Sequence, residues 1–441
     1  MTRPAFPATG QVVRLARARM PVVLEQRLGE GGQGVVFRAS TADGAAFAVK
    51  WYRPSAHLPE LRRAIDSLVV HGRPHPAFIW PIDVVECEGV EGFGYVMALI
   101  EPRFRSFAQV LAATTQPSFA SLALIGLDLA DAFAALHGSG LCYRDISFGN
   151  LLVDPDRAEV AIADNDNVGL DRGNVFVRGT LRFMAPEVVT GVAQPSTITD
   201  LHSLAVLLFY LFVHGHPLEG AYADLGSAWR RDAQGTESEI ASRYFGSEPL
   251  FVFDPGDGRN RPVSGDPMLT WWPIYPRFFH ELFVQAFTVG LRTPTLSARV
   301  TEGAWRRALL RMRDCVSRCG ACGAAVIWDP DGDGPACWRC GRQPARPPLL
   351  EVGGATLTLV EGQVLTRHHL WHDRDYRAPA GLVEAHPDGS AMVVLRNMTD
   401  APWTAVPEGE APRVVAPRQR VLVRPMSIDF GPVRGVVRSA A

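Results

Sequence analysis

The sequence predicts an α+β protein made of consecutive units, and three observations carry that reading. Short β-type runs fill residues 22–51. Two helical stretches apolar on nearly every face follow, Leu122–His137 and Leu201–Val213. Two CxxC pairs then precede a last region of short β-like runs. Strands, then helices, then a separate cysteine-bearing piece is the order of an α+β domain with appended modules. At 441 residues the chain is too long for one ordinary core, so two or three domains are expected.

Composition narrows the class. Apolar residues make up 47% and charged residues 20%, as in globular proteins, and a formal net charge of −2 gives no reason to expect nucleic acid or a membrane as partner. The longest apolar run, Leu201–Val213, contains a histidine and is too short to span a bilayer. Arg3, Arg14, Arg17 and Arg19 adjoin no apolar core, so no secretory signal is read and a cytoplasmic protein is expected. Of the 44 basic residues a single one is lysine, Lys50. A chain that uses arginine everywhere else keeps a lysine where a compact ammonium is needed, as between phosphate oxygens and a carboxylate.

Residues 1–20 read as a mobile tail. Residues 22–51 read as strand, turn, strand, with Gly29, Gly31, Gly34 and Val36 in a GxGxxG pattern that joins two β-type runs. That context argues against a dinucleotide-binding fold and fits a flap whose amides close over phosphates. Residues 58–70 have helical spacing with Pro59 in the first turn, and Gly94–Ile100 is strand-like. The helix at Leu122–His137 delivers the chain into Leu141–Leu152, where Asp145 is followed five residues later by Asn150. Phosphoryl transfer needs such a pair, a carboxylate to orient the attacking hydroxyl and an oxygen donor to help hold Mg²⁺. Taken alone the spacing is common in polar turns. A short strand, Ala158–Ala163, then ends at Asp164, and Gly179-Thr180, Ala185-Pro186-Glu187 and Asp200 follow.

In this order the motifs LGEGGQGVVF, AVK, ALHGSGLCYRDISFGNLLV, IADND, GTLRFMAPE and TDLHSLAVLLF resemble the protein-kinase superfamily over roughly residues 22–313. The resemblance implies a bilobal protein-kinase-like fold over 21–313, with an N-lobe at 21–100, a C-lobe at 101–313 and ATP between them. Lys50 would meet the α- and β-phosphates, Asp145 would be the catalytic base, and Asn150 and Asp164 would hold Mg²⁺. Gly29, Gly31, Gly34, Val36, Ala48, Met97 as gatekeeper and Leu99 in the hinge would line the nucleotide site. Asp200 would brace the catalytic loop, and Arg299 would pair with Glu187. The sequence departs from the family at Tyr143 (usually His), Ser147 (usually Lys) and Asn165-Asp166 (usually Phe-Gly). Asp166 reads either as a further metal ligand or as a solvated turn residue. The helix acid for Lys50 is either Asp66 or Glu60. The resemblance implies a serine/threonine protein kinase acting on a protein substrate; a nucleotide-binding pseudokinase scaffold and a small-molecule kinase are the alternatives. Gly179-Thr180 and the Ala185–Glu187 triplet argue against the last, because they resemble a peptide-substrate platform.

From Asp164 to Glu187 the sole hydroxyl-bearing residue is Thr180. Arg144 would therefore find a fixed acid such as Asp171 instead of an activation-loop phosphate. Residues 221–275 are a loop-rich insertion whose Trp271-Trp272 pair reads as packing. Cys319, Cys322, Cys337 and Cys340 form two knuckles, each followed by glycine, in a module at 314–342. Four thiolates suit a closed, structural Zn²⁺ site of the zinc-ribbon type; redox dithiols and iron are the competing uses. Cys315 is the spare. A linker at 343–348 leads to a small all-β sandwich at 349–441, an interaction module with a faint likeness to a forkhead-associated domain. The layout of kinase, ribbon and β-domain resembles the kinase of bacterial tellurite-resistance-associated phosphorylation systems, which implies a von Willebrand A-type protein and a cognate phosphatase as partners.

Overall fold

The structure is a computed structural model that describes residues 5–54, 59–112, 117–171, 179–222, 242–332, 334–389 and 392–438. Its first unit is a closed six-stranded barrel made of β1 (Val12–Leu15), β2 (Pro21–Glu30), β3 (Gly34–Ser40), β4 (Ala46–Tyr52), β5 (Pro81–Cys87) and β6 (Gly94–Ala98). The strand order is β1-β2-β3-β4-β6-β5, and β1 closes the ring by pairing Val13 with Cys87. The period-two alternation of apolar residues turns Val13, Val22, Leu24, Val49, Trp51 and Val96 into one buried cluster. The expectation of a mobile tail over 1–20 is corrected here, with residues 1–4 lying outside the described residues. Val13 and Leu15 point inward while the Arg17 and Ala18 amides donate to Asp83 at 3.1 and 3.0 Å. Helix α1 (Pro59–His71) packs its Ile65–Leu68 face beside β5.

The second lobe is helical. Helix α2 (Phe107–Leu111) precedes α3 (Phe119–Gly138), which begins at the Ser118 cap and buries one broad face, leaving the stripe through Leu124, Asp128 and Asp131 partly exposed. Among the described residues α3 is the one helix long and apolar enough to cross a membrane. Here its buried face meets the lobe's core, packed against the helix Glu302–Asp314. Short strands carry the polar loops: β7 (Arg105–Ser106), β8 (Leu141–Cys142), β9 (Leu151–Asp154), β10 (Glu159–Ile162) and β11 (Gly169–Leu170). They pair as β10-β9-β7 and β11-β8. Helix α4 (Pro186–Val189) is followed by α5 (Thr197–Val213), opened by a Ser196/Thr199 capping box and buried along nearly its whole length. Of the insertion, residues 223–241 lie outside the described residues. Trp271 stacks on His214 at 4.5 Å, and Trp272 lies between Phe253 at 4.4 Å and His280 at 4.0 Å, so the Trp pair packs against this lobe.

The cysteine module is a hairpin of β12 (Val316–Arg318) and β13 (Ala325–Ile327). The terminal domain runs through β14 (Leu349–Val352), β15 (Ala355–Thr358), β16 (Val364–Thr366), β17 (Pro379–Ala385), β18 (Val393–Asn397), β19 (Trp403–Pro407), β20 (Arg413–Val415), β21 (Arg420–Leu422), β22 (Met426–Asp429) and β23 (Arg434–Arg438). These form a six-stranded sheet, β15-β14-β23-β22-β19-β20, and a four-stranded sheet, β16-β17-β18-β21, that share a core around Leu350, Leu395, Trp403 and Ile428.

The domain does not hang from a linker. The buried Asp314 carboxylate, at the end of the helix Glu302–Asp314, accepts from Arg313 at 2.7 Å and meets His369 Nε2 at 3.0 Å. Arg313 also donates to the Tyr376 carbonyl at 2.9 Å. At a second point Arg377 reaches Asp128 on α3 at 2.7 Å and the carbonyls of Arg157 and Ala158 at 2.7 and 2.8 Å.

Candidate active site and cysteine cluster

The barrel and the helical lobe meet over a group of polar side chains set on short, tightly held backbone. Lys50 lies on β4, opposite Val36 on β3 and Tyr95 on β6. In that register Gly34 has no room for a side chain, since a Cβ there would come within 2.2 Å of the Trp51 carbonyl oxygen. Gly29, near the end of β2, and Gly31, in the turn that its own amide closes onto the Gly34 carbonyl at 2.9 Å, both face open space. Val36, Ala48, Met97 and Leu99 contribute to the same apolar cluster, and Ala48 pairs with Met97 across the sheet.

The buried Lys50 ammonium donates to Asp166 at 2.8 and 3.1 Å, to Asp164 at 3.3 Å and to Gln33 at 3.1 Å. Burial alone would depress its pKa, but the charges of Asp166 and then Asp164 outweigh that and hold it above the ordinary lysine value. Tyr52 and Tyr95 also donate to Asp166, at 2.7 and 3.4 Å. Burial first, and the Asp166 charge second, push both phenols well above their usual pKa.

Asp145 sits in the loop after β8. Its carboxylate accepts from Thr180 Oγ1 at 2.8 Å, and the Asn150 amide group donates to the Asp145 carbonyl at 2.8 Å. Asp200, at the start of α5, holds this loop from behind by accepting from the backbone N–H groups of Tyr143 and Arg144. Asp164 and Arg144 both adopt left-handed backbone, with φ of 50° and 74°, and such strain in non-glycine residues persists where surrounding structure enforces it. The turn that follows Asp164 is anchored on three sides. Asn165 donates to the carbonyls of Ile79 at 2.8 Å and Ile162 at 2.9 Å, Asp166 meets Lys50, and Asn167 approaches Asp145 at 3.5 Å. On the far side, Arg299 and Glu187 form a buried pair at 2.7 Å.

The family model described as protein kinase domain matches residues 22–237. The chain is 26% identical over 199 residues to the serine/threonine-protein kinase AfsK of Streptomyces coelicolor, covering 44% of this chain and 25% of that protein. It is 29% identical over 227 residues to the serine/threonine-protein kinase PkaA of the same organism, covering 46% and 40%. It is 28% identical over 218 residues to cyclin-dependent kinase B2-1 of Arabidopsis thaliana, covering 44% and 66%. The chain thus spans about a quarter to two-fifths of the two bacterial relatives. Residues 22–237 are a protein kinase domain.

Within this kinase domain the departures from the family pattern acquire physical roles. Tyr143 is fully buried between Phe78 and Phe133 and donates its hydroxyl to the Ala163 carbonyl, bracing the strand that presents Asp164. Ser147 is buried ahead of the short helix Phe148–Asn150. The expectation that Asp66 or Glu60 pairs with Lys50 is corrected: Glu60 pairs with Arg63 on the surface at 2.8 Å, and the hydrogen bonds of Lys50 go to Gln33, Asp164 and Asp166. Asp166 is also not a solvated turn residue, since its side chain is 2% exposed. A signal for this was present in the sequence. Tyr52 and Tyr95 are polar-tipped residues at inward positions of strands, and buried hydroxyls require a partner.

The four cysteines form a separate site. Their sulfurs all lie within 4.8 Å of one another. Gly323 and Gly341 take φ of 72° and 70° and donate back to the carbonyls of Cys319 and Cys337 at 2.8 Å, closing two like knuckles. The amides of Ala321 and Cys322 aim at Cys319 and pull its thiol down to about 7. Cys322, by contrast, is pushed up to about 11: amide donation is outweighed by burial and by neighbouring thiols. A metal would remove that conflict by taking all four as thiolates, so the donor set fits Zn²⁺. Cys315 stands apart, buried, with its pKa raised by desolvation.

Proposed function

We propose that the chain is an ATP- and Mg²⁺-dependent serine/threonine protein kinase that transfers a γ-phosphate to a protein hydroxyl. The observation that carries this reading is the convergence of Lys50, Asp164, and the loop pair Asp145 and Asn150 from three separate segments onto one cleft between the lobes. In this reading Asp145 orients the attacking hydroxyl and takes its proton, and Lys50 lies against the nucleotide phosphates. Gly29, Gly31, Gly34, Val36, Ala48, Met97 and Leu99 enclose the base and phosphates. Asn150 and Asp164 would hold Mg²⁺, which neutralises charge developing on the transferred group. The cysteine cluster would hold a structural Zn²⁺, and the terminal sandwich recruits a partner. The domain layout favours a von Willebrand A-type protein and a cognate phosphatase as that partner set, in the cytoplasm.

The test is transfer of radiolabel from γ-labelled ATP to a generic protein acceptor. Wild-type protein should transfer, Lys50→Arg should lose about a hundredfold or more, and Asp145→Asn and Asp164→Asn should be inactive yet folded. The saturation of the Lys50 amine by its present partners also favours a second reading, a nucleotide-binding scaffold without transfer. Thermal stabilisation by ATP with no transfer by wild type would select it.

A further inference from the structure

The lysine of a phosphate-binding cleft must be held extended toward its ligand, and the acid that holds it decides what can switch the site. We propose that Asp166 is the residue that positions Lys50, in place of an acid on helix α1; this rests on the kinase reading above. Both Asp166 oxygens are taken, Oδ2 by Lys50 at 2.8 Å and Tyr52 at 2.7 Å, and Oδ1 by Lys50 at 3.1 Å and Tyr95 at 3.4 Å. A carboxylate buried and saturated in this way has no lone pair directed at the cleft, which separates it from Asp164, whose side chain is 47% exposed.

The two acids therefore divide the work. Asp164 faces the cleft two residues before Asp166, and Asp166 faces the barrel wall. Helix α1 contributes Ile65 and Leu68 as its buried face, and its first-turn acid points to Arg63 instead. Helix α1 packs against the Asn165–Asn167 turn, while the hydrogen bonds of Lys50 go to Gln33, Asp164 and Asp166. Alignment of the lysine is thus set by the Asp164–Asn167 turn and two strand tyrosines, and Tyr52 and Tyr95 are positioning residues at one remove.

Because Lys50 is the sole lysine in the sequence, it can be observed without assignment. Full-length protein grown with lysine labelled at Cε gives a single methylene cross-peak, recorded alongside kcat and KM for ATP. Asp166→Asn should displace that peak and lower kcat/KM by about a hundredfold, the scale of one lost electrostatic contact. Asp66→Asn and Glu60→Gln should leave both within twofold. In the Lys50→Arg background, Asp166→Asn should cost nothing more, since residues acting as one unit are not additive. If Asp166→Asn fails to fold, the Tyr52→Phe/Tyr95→Phe variant supplies the same reading, with a displaced peak and about a tenfold loss. An unmoved peak in these variants, or a peak moved by Asp66→Asn or Glu60→Gln, overturns the proposal. If wild type transfers no phosphate, the kinase reading fails while the lysine spectrum still decides the role of Asp166.

Discussion

Nε2 of His137, at the end of α3, lies 3.2 Å from the Asp200 carboxylate that accepts from the backbone N–H groups of Tyr143 and Arg144. Its other nitrogen meets Glu302. Burial opposes the imidazolium, but the hydrogen bonds it donates to Asp200 and Glu302 lift its pKa to about 9. A His pKa raised on folding stabilises fully below the unfolded value near 6.5, and that contribution is lost as pH climbs through about 9. Stability should fall by on the order of 3 kcal/mol across this interval, and His137→Asn should flatten the slope. Chemical denaturation of both proteins at several pH values between those limits measures it; parallel slopes would refute the assignment.

Thr180 donates to Asp145 at 2.8 Å, so a phosphate on Thr180 would set a second anion beside the proposed base. The protein should therefore be active with Thr180 unmodified. Phosphatase treatment should leave its rate unchanged, and Thr180→Glu should abolish transfer. Thr180→Ala should cost about 10- to 100-fold, the value of one hydrogen bond to a charged group. Asp171 accepts the Thr197 amide at 2.9 Å, and residues 172–178 lie outside the described residues. Phosphopeptide mapping of active protein checks this, and a requirement for phosphate on Thr180 would defeat it.

One zinc should copurify with each chain, held by Cys319, Cys322, Cys337 and Cys340. Cys322→Ser should release it and lower thermal stability, with Cys315→Ser leaving the metal content unchanged. Elemental analysis beside thiol counting reads both. Four freely alkylated thiols in the native protein, or iron in the site, would contradict it.

The buried group of Arg313, Asp314 and His369 ties the second lobe to the terminal sandwich. Removing one member of a buried charged pair costs about 3–5 kcal/mol, because the other is left without compensation. Asp314→Ala should lower stability by that amount and expose the 343–348 segment to protease. Arg377→Ala, which removes the more exposed contact to Asp128, should cost less. Unchanged proteolysis in Asp314→Ala would show that the seam does not depend on this group.

Much of the site was legible because its chemistry sits in short polar motifs at fixed spacing. Asp145 and Asn150 share one loop, and each CxxC pair makes its own knuckle, so local sequence carried the information. The partner of Lys50 was not legible, because Asp166 lies 116 residues away and is chosen by how the second lobe docks beneath β4. Helix α1 has acids at plausible spacing, but its burial was decided by Ile65 and Leu68. The strand at Val12–Leu15 was hidden by surrounding arginines, which stay exposed at a barrel rim while the valine and leucine turn in.

That strand has a practical consequence for anyone trimming the chain. A barrel has no edge, and every strand in it has its amides occupied on both sides. A cut at residue 21, where the sequence placed the start of the folded unit, would remove the pairing partner of both β2 and β5. Two open edges would then face solvent on the same lobe, each a template for another chain. Aggregation of such a fragment would report on the missing first strand, and not on the competence of the cleft.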